Sequence, residues 1–344
     1  MKRLIALLVV AAGCNPLPPG ADGALELIYA SPYSPGHPFS LADRDWMAWV
    51  EKEGKGRVQI RPIWSGALIS SDQSMIELRH GVADVGLVTP IYAKGGAHLL
   101  RNQTGFYSGV HSQEHQIALY RCLAHTSDAF AAELEGLKVL AVQGGNPPGI
   151  LTRERPVKAL ADLEGLRIRA PTELLAVLEA LGAEPVSMPM GEVYSALAKG
   201  VLDGVIAPPD TFRSLHFAEV ADYFAHLEIP RGAYPGRAMG LDRWRSLPPD
   251  VQDILKRSVA VWERALIRRT SEATDTGLAY GQEHGLIETT LAPADQARFL
   301  AIYARHTEEV AAELSRFGID GMAVYRTARA SISPDGTVLC REGE

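Results

Sequence analysis

The sequence predicts an α/β fold with two lobes bridged by a long helix. Residues 25–88 alternate between strand and helix patterns, which is typical of a mostly parallel sheet with helices on both faces. The chain has 344 residues. About 330 would remain after removal of an N-terminal leader, which is more than one hydrophobic core usually serves. Residues 250–283 keep helical periodicity without proline, and such a helix is roughly 50 Å long. We therefore expect it to bridge both lobes.

Local patterns place the elements in chain order. Strands are predicted at 25–30, 57–62, 83–88, 139–143, 166–170 and around 205–206, and helices at 40–53, 72–80, 173–181, 250–283 and 292–317. The glycine and proline run at 144–149 marks a bend and a crossover to the second lobe. Ligands in such folds bind beyond the carboxyl ends of the parallel strands. The loops at these ends supply first-lobe candidates, each of which also fits an ordinary loop role: His37, Ser71, Asp72, Thr89 and Tyr92.

Arg169 is the strongest ligand-binding candidate in the sequence. It ends a strand in which charged and apolar residues alternate, and Pro171 stops that strand. Thr172 is a suitable N-cap, so we expect a helix N-terminus with free N–H groups beside the guanidinium. A guanidinium matches both oxygens of a carboxylate. The alternative, from local sequence alone, is a surface arginine paired with a nearby glutamate.

Four segments in this region resemble one known family. They are DLEGLRIRAP (162–171), LGAEPVSMPMGEVYSAL (181–197), KGVLDG (199–204) and AEVADYF (218–224). They resemble the substrate-binding proteins of tripartite ATP-independent periplasmic (TRAP) transporters, the dicarboxylate-binding-protein family. The resemblance implies a two-lobed, periplasmic-binding-protein-like α/β fold, with two mixed β-sheet domains, a hinge and a long helix spanning both. It also implies that Arg169 holds the ligand carboxylate.

The same resemblance implies a receptor that does no chemistry on its ligand. The protein would bind a small organic acid outside the cytoplasm and deliver it to the small and large membrane subunits of an ion-gradient-driven permease. We expect no enzyme activity, cofactor or metal. The net charge of −7 argues against a nucleic-acid partner. Two alternatives remain: a sensor lipoprotein not coupled to transport, and a zinc hydrolase using the H-x-x-E-H pattern of His111, Glu114 and His115.

Departures from the family pattern bear on the ligand. Typical members carry a second arginine earlier in the chain, where this sequence has Gly149, and an asparagine where it has Ala207. Loss of these polar partners favours a less polar ligand, because each unpaired buried polar group costs about 1–3 kcal/mol. We predict a monocarboxylate with an apolar or aromatic body. The second-lobe candidates besides Arg169, of which the last two could restore a lost contact, are Thr172, Met190, Ala207, Phe212 and Arg213.

The N-terminus predicts export from the cytoplasm. Lys2 and Arg3 precede an apolar run over 4–12, which suits a signal peptide and is too short to span a bilayer. The run ends in Ala-Ala-Gly-Cys, which resembles the lipobox of bacterial lipoproteins. Cys14 would then be lipidated and would anchor the protein to the membrane. Cleavage nearby by an ordinary signal peptidase is the alternative.

These segments combine into one domain scheme. It has a signal segment with lipobox over 1–14, a tether over 15–24, lobe I over 25–145 with part of 230–260 returning to it, a lobe II core over 146–229, a bridging helix over 250–283, and C-terminal helices and tail over 284–344. Two further cysteines, Cys122 and Cys340, either form a disulfide or remain free.

Overall fold

The structure is a computed structural model that describes residues 24–341. Its strands are β1 Leu25–Ala30, β2 Val58–Ile63, β3 Val85–Leu87, β4 Leu137–Gln143, β5 Gly149–Thr152, β6 Arg167–Arg169, β7 Glu184–Val186, β8 Gly204–Ala207, β9 Tyr223–His226, β10 Tyr234–Gly240 and β11 Ile287–Thr290. Its helices are α1 Pro38–Gly54, α2 Ser74–Arg79, α3 His98–Asn102, α4 Gln113–Thr126, α5 Asp128–Glu133, α6 Leu175–Glu179, α7 Met190–Ala198, α8 Thr211–Ser214, α9 Leu241–Ser246, α10 Pro249–Glu283, α11 Pro293–Glu313 and α12 Gly321–Ser331. The predicted signal segment with Cys14, and residues 15–23 of the predicted tether, lie outside the described residues.

The strands form two sheets, which define lobe I and lobe II. The order is β2-β1-β3-β10-β4 in lobe I and β11-β9-β5-β8-β6-β7 in lobe II. In each sheet one strand runs against its neighbours: β10 is antiparallel to β3 and β4, and β5 is antiparallel to β8 and β9. The other pairs are parallel. The predicted α/β fold with two mixed sheets is confirmed.

Each reversed strand enters its sheet directly from the other lobe. Residues 144–148 lead from β4 of lobe I into β5 of lobe II, and residues 227–233 lead from β9 back into β10 of lobe I. These two short segments lie side by side with α10 between the lobes. The carboxyl ends of the parallel strands of both sheets therefore face the same cleft, together with the amino ends of β5 and β10.

Local signals set the bounds of the first elements. β1 has its predicted bounds, whereas α1 begins at Pro38, two residues before the predicted start. His37 explains this difference, because its Nδ1 accepts a hydrogen bond from the N–H of Phe39 and caps the helix at 3.2 Å. α1 ends at Gly54, and the following residue, Lys55, caps it in a left-handed conformation with φ 48°.

The helix α10 packs on both lobes, as the sequence predicts. In lobe I the indole ring of Trp262 stacks on Trp46 of α1, with 3.7 Å between ring centroids. In lobe II Gly277 faces the backbone of Pro209, where a Cβ would lie 2.1 Å from the carbonyl oxygen. A glycine is therefore needed at this crossing. Among residues 24–341, none of the helices combines the length and the apolar composition that a membrane crossing requires.

The C-terminal region differs from its prediction in one element. The sequence predicts helices and a tail after residue 284, but β11 forms there and pairs in parallel with β9 at the edge of lobe II. Most of β11 is exposed, so it lacks the alternation of buried and exposed residues that reveals a strand. α12 returns to α4 of lobe I. Cys122 of α4 and Cys340 form a disulfide, the first of the two alternatives that the sequence leaves open.

Candidate functional site

A small cavity of about 90 Å³ lies in the cleft between the lobes. Lobe I contributes Tyr33, His37, Phe39, Thr89, Ile91 and Tyr92 to its lining. Lobe II contributes Arg169, Pro171, Met190, Ile206, Pro208, Asp210, Thr211 and Leu215. The segments between the lobes, with the first residue of β10, contribute Asn146, Pro148, Arg231 and Tyr234.

The topology explains why these residues meet. The lining residues of lobe I follow the carboxyl ends of β1 and β3, and those of lobe II follow β6, β7 and β8. The connecting segments begin after β4 and β9. Carboxyl ends of parallel strands meet at one edge of a sheet, and both edges face the cleft. The cavity is therefore where this fold class places its ligands.

A larger groove on lobe I is a weaker candidate for a ligand site. Its volume is about 870 Å³, and it is open to solvent along α2, α3 and α5. Lys94 in its lining already pairs with Asp72, with 2.6 Å between Nζ and Oδ2. The groove lies on one lobe only, so lobe movement would not enclose a ligand there. Size alone therefore does not decide the site.

Arg169 extends from the end of β6 into the cavity and is only 3% exposed. Its Nε donates to the carbonyl of Met188 at 2.9 Å, and its Nη2 donates to the hydroxyl of Tyr92 in lobe I at 2.8 Å. Among residues 24–341 no carboxylate forms an ion pair with it. A buried guanidinium without a counter-ion is costly. The arrangement therefore favours binding of an anion.

The charge of the cavity is positive. Arg231 joins Arg169 in the lining, while Asp210 and Glu173 are the carboxyls whose charges act on these arginines. Burial raises the pKa of Asp210 to about 6, against the opposing effect of its hydrogen bond from Asn146. Burial also raises the pKa of Glu173. Both carboxyls are therefore easier to protonate than usual, and neither forms an ion pair with either arginine.

One wall of the cavity is aromatic. The ring of Tyr33 stacks on His37 with 4.1 Å between centroids, and Phe39 packs edge-on against both rings. Burial and the nearby charge of Arg237 lower the pKa of His37 to about 3, so its ring is neutral at physiological pH. Since Nδ1 accepts the helix-capping bond, the proton lies on Nε2. This wall suits a flat apolar or aromatic group.

A buried ion pair supports this wall from behind. Arg237 and Asp43 are both fully buried, with 2.7 Å between Nε and Oδ1. Arg237 also donates to Gln143 at 2.8 Å, and Gln143 donates to the hydroxyl of Tyr234 at 3.0 Å. The guanidinium carbon lies 5.8 Å from the Phe39 ring centroid. The network thus positions Tyr234 and Phe39 without itself lining the cavity.

Asp210 is held by a second polar network where the lobes meet. Asn146 donates to Asp210 at 3.0 Å and to the carbonyl of Thr270 in α10 at 3.0 Å. Gln113 of α4 donates to Asn146 at 2.8 Å and to the hydroxyl of Thr270 at 3.0 Å. The network links lobe I, α10, a connecting segment and lobe II. It fixes the position of Asp210 in the cavity.

The structure brings five of the sequence-predicted site residues to the cavity. They are His37, Thr89, Tyr92, Arg169 and Met190. Four of them lie at or after the carboxyl end of a parallel strand. The fifth, Met190, begins α7. Whether they contact ligand stays a prediction.

Three predicted residues lie near the cleft but outside the cavity lining. Thr172 does not cap a helix, because Pro171 precedes a short 3₁₀ turn and α6 begins only at Leu175. Its hydroxyl instead donates to the carbonyl of Ile91 in lobe I at 3.3 Å. Asp72 pairs with Lys94 on the outer groove. The carbonyl of Ser71 accepts the hydroxyl of Thr89, so Ser71 supports a lining residue without lining the cavity.

Three other predicted residues point away from the cavity. Ala207 and Phe212 are fully buried in a hydrophobic core of lobe II. Ala207 faces that core because successive residues of β8 alternate between the two faces of the sheet. Ile206, the neighbour of Ala207, lines the cavity instead. Arg213 is exposed on α8. The suggestion that Phe212 and Arg213 restore a lost polar contact is therefore not supported by their positions.

Gly149 has no room for the arginine that the family resemblance places at this position. A Cβ at this position would lie 2.4 Å from the Phe224 ring and 2.6 Å from the carbonyl of Ala225. A second arginine nonetheless reaches the cavity as Arg231, from a different segment. The sequence prediction that polar contacts are missing is thus incomplete.

Sequence reasoning missed several lining residues. The main ones are Tyr33, Phe39, Asn146, Asp210, Arg231 and Tyr234. Tyr33 lies in the loop after β1, and Asn146 lies in the crossover that follows β4, so a position after the carboxyl end of a strand was a usable signal for both. Arg231 lies in a segment without periodicity, and no local pattern distinguishes it.

The structure does not give His111, Glu114 and His115 the geometry of a zinc-protease motif. α4 begins at Gln113, and the hydroxyl of Ser112 caps it by accepting from the N–H of His115 at 3.2 Å. His111 therefore precedes the helix, so the two histidines do not share one helical face as the H-x-x-E-H motif requires. Within the part of the chain that the structure describes, no group of three or more His, Cys, Asp or Glu side chains could hold a metal ion.

Comparison with known proteins matches this two-lobed architecture to one family. The model of the bacterial extracellular solute-binding protein family 7 matches residues 29–314, most of the chain. The chain belongs to this family. It is a TRAP-type solute-binding protein, and the family consists of substrate-binding receptors and not of enzymes.

Curated relatives of this TRAP-type solute-binding protein are distant. A solute-binding protein of Roseobacter denitrificans is 32% identical over 168 residues, 47% of this chain and 51% of the relative. A monocarboxylate 2-oxoacid-binding periplasmic protein of Nostoc sp. is 26% identical over 217 residues, 60% of this chain and 57% of the relative. The match thus spans little more than half the length of these relatives.

A solved structure shares the whole fold. A TRAP solute-binding protein of Rhodoferax ferrireducens, in complex with copurified benzoate, superposes with a TM-score of 0.81 at 24% identity. The superposition covers 89% of this chain and 97% of that chain. The two-lobed fold of this TRAP-type protein is therefore that of its family.

Proposed function

We propose that this protein is a periplasmic receptor for a small monocarboxylate with an apolar or aromatic body. The observation that carries the proposal is Arg169, a buried guanidinium that lines a small interlobe cavity without a carboxylate partner among residues 24–341. A ligand carboxylate would supply the missing charge. The stacked rings of Tyr33 and His37 would contact its body. The small volume of the cavity in this conformation favours a compact ligand.

Binding would couple to closure of the lobes. The ligand enters an open cleft and meets Arg169 on lobe II. Closure then brings Tyr92 and the rest of lobe I over it, and the ligand stabilises the closed form by its higher affinity for that form. Closure brings the hydroxyl of Tyr92 to Arg169, which donates a hydrogen bond to it across the cleft in the structure.

We further propose that the closed receptor delivers its ligand to the two membrane subunits of an ion-gradient-driven TRAP permease. Family membership supports this role. Reconstitution of the permease in proteoliposomes tests it. Uptake of the bound acid should require this protein, its ligand and an imposed ion gradient together. Uptake that is equally fast without the protein would contradict the coupling.

The sequence Ala-Ala-Gly-Cys at 11–14 supports lipid anchoring at Cys14. In a bacterial host, the full chain should label with a radioactive fatty acid and fractionate with membranes. The variant Cys14→Ser should do neither. Membrane fractionation of the wild-type chain without acyl labelling would contradict the anchor and leave the receptor function untouched.

The experiment that tests the receptor function is calorimetric titration of the soluble domain. The panel contains benzoate, phenylpyruvate, pyruvate, succinate and galacturonate. Benzoate is the first probe because a protein of the same fold carries it. We expect an aromatic or aliphatic monocarboxylate to bind more tightly than succinate or galacturonate. Tight binding of succinate or galacturonate alone would refute the monocarboxylate assignment.

Arg169→Ala should weaken binding of the best acid by about 2–5 kcal/mol, or roughly 30- to 5,000-fold. Arg169→Lys should restore only part of this loss, because an ammonium cannot form the two-pronged contact. The matched control is Arg167→Ala on the same strand, whose side chain is 44% exposed and pairs with Asp203. It should leave affinity unchanged. Equal affinities for Arg169→Ala and wild type would refute the role of Arg169.

A further inference from the structure

Asp210 and Arg231 face the same cavity as Arg169 but lie in different parts of the chain. Asp210 follows β8 of lobe II, and Arg231 lies between β9 and β10. Asp210 is 6% exposed, and one of its oxygens accepts a hydrogen bond from Asn146 at 3.0 Å. The guanidinium carbon of Arg231 lies 5.8 Å from the Tyr234 ring centroid. Neither residue is needed to hold the ligand carboxylate at Arg169.

The opposite charges of these two residues act on each other without direct contact. Arg231 lowers the pKa of Asp210 through space, against the larger effect of burial. No ion pair joins the two side chains. Asp210 is buried and Arg231 is half-buried, and a buried carboxylate normally pairs with a nearby guanidinium, because the pair offsets the cost of desolvation. Both line a cavity of about 90 Å³ and no hydrogen bond joins them, so a ligand group in that cavity can contact both.

The chemistry of the gap selects one kind of group. Arg231 offers only hydrogen-bond donors, and the carboxylate of Asp210 offers only acceptors. A second carboxylate would suit Arg231 and be repelled by Asp210, whereas an ammonium group would suit Asp210 and be repelled by Arg231. A hydrogen atom or a methyl group would leave both unsatisfied. A hydroxyl accepts from the guanidinium and donates to the carboxylate at the same time.

We propose that Asp210 and Arg231 form a specificity-determining pair that recognises a hydroxyl group on the body of the ligand whose carboxylate binds Arg169. This inference rests on the proposed receptor function and names its substrate class: hydroxylated aromatic or aliphatic monocarboxylates. Asp210 is pre-positioned for the task, since Asn146 fixes it from α10 and lobe I. A site that hydrogen-bonds a ligand hydroxyl rejects the analogue without it, because the buried partners are then unpaired.

Matched pairs of acids with and without the hydroxyl test the inference by calorimetry at pH 7.5. The pairs are benzoate with each of its three hydroxy isomers, and phenylacetate with mandelate. In the wild-type protein, at least one hydroxy acid should bind about 10- to 100-fold more tightly than its parent acid. The ratio of the two affinities is the quantity of interest, because it cancels effects on closure or folding that act on both acids.

Two variants should remove the preference while shifting the parent acid in opposite directions. Asp210→Asn keeps the acceptor for Asn146 but turns an amide donor toward the gap, so the hydroxyl loses its acceptor. It also removes a negative charge, so the parent acid should bind more tightly. Arg231→Met removes the donor and a positive charge, so the parent acid should bind more weakly. In both variants the ratio should fall to about 1.

The control is Arg213→Met, which removes a positive charge from the exposed surface of α8, the helix that follows Asp210. It should retain the wild-type ratio. If Arg231→Met unfolds at a lower temperature than wild type, Arg231→Lys replaces it and should lower the ratio partially. A purely structural role of either residue would change both affinities equally and leave the ratio intact.

The outcomes separate this inference from the proposed function. If parent and hydroxy acids bind the wild-type protein equally, the proposed recognition of a hydroxyl by Asp210 and Arg231 is overturned. The proposed function as a monocarboxylate receptor is unaffected. The same holds if the preference survives in both variants. If none of these acids binds, while dicarboxylates or sugar acids do, both the pair and the proposed ligand class are overturned. A ratio of 10 or more that collapses in both variants supports the pair.

Discussion

The charge of Asp210, which we propose contributes to ligand recognition, lowers the stability of the fold. It is buried in the lining of the cavity, and burial raises its pKa from its ordinary value of 3.8 to about 6. The folded protein therefore binds this proton more tightly than the unfolded chain does. Asp210 lowers the free energy of unfolding progressively as the pH rises from about 4 to about 6, and its full cost remains above that range.

Asp210→Asn should accordingly stabilise the protein at pH 7.5 and leave it nearly unchanged at pH 4. The gain is at most about 3 kcal/mol, from a pKa difference of about 2 units. Urea unfolding of wild type and variant at both pH values measures it, and comparison of the two proteins removes the effects of other groups that titrate. A variant that is equally destabilised at both pH values would show that the carboxylate is needed for structure and that its charge is not penalised.

At this scale the sequence reveals Arg169 and Tyr92 but not Asp210 or Arg231. Arg169 ends a strand with period-2 alternation and lies in a motif, so two independent signals select it. Asp210 and Arg231 follow strands in loops whose sequence carries no periodicity. Their proximity depends on how two sheets face each other across a cleft. Local pattern contains no information about that placement, whereas the strand-end rule indicates the edge to search.

Gly277 is the residue of α10 that packs against the Pro209–Asp210 backbone beside the cavity. A Cβ there would lie 2.1 Å from the carbonyl oxygen of Pro209 and 3.1 Å from the Cα of Asp210. Gly277→Ala must therefore push the helix and this loop apart, and backbone atoms cannot rotate away as a side chain can. We expect a net destabilisation of about 1–3 kcal/mol, since overpacking outweighs the helix-propensity gain of about 1 kcal/mol.

The control for Gly277→Ala is Gly191→Ala in α7. Nothing lies within 4 Å of a Cβ at that position. The control should be neutral or stabilise the protein by up to about 1 kcal/mol. The midpoint of urea unfolding measures both variants, and titration of the best acid should show weaker binding only for Gly277→Ala. Equal stability of the two variants would mean that α10 can move away from Pro209 at no cost.

Elements with a strong pattern are predictable, and short ones are not. The predicted 250–283 helix differs from α10 by one residue at its start, because its periodicity and the proline pair before it mark its bounds. The predicted helix 173–181 is wrong in its first turn, where a 3₁₀ segment precedes α6. Thr172 resembles an N-cap in sequence, but the contact of its hydroxyl with lobe I determines its conformation. Tertiary contacts override local propensity there.

The whole molecule works as two lobes whose contacts across the cleft add to those made by the ligand. Among residues 24–341, Arg169 donates to Tyr92 across the cleft within the cavity, and Thr172 donates to the carbonyl of Ile91 outside its lining. The second bond contributes only when the lobes are together. It therefore stabilises the closed form equally for every ligand, whereas a residue that touches the ligand discriminates among ligands.

Thr172→Val tests this separation, because it removes the hydroxyl and keeps the shape of the side chain. The interlobe hydrogen bond is worth about 0.5–1.5 kcal/mol, so affinity should fall by about 2- to 10-fold for every acid, with the ratios between acids unchanged. Thr276→Val, which alters an exposed hydroxyl bonded within α10, is the control and should leave affinity at the wild-type value. Calorimetric titration with three or more acids measures both.

A loss confined to some acids would place Thr172 in contact with the ligand, and no loss at all would mean that closure does not depend on this bond. A uniform loss would show that the free energy of lobe closure is set partly by residues outside the cavity. Affinity in this receptor could then change without any change in ligand specificity.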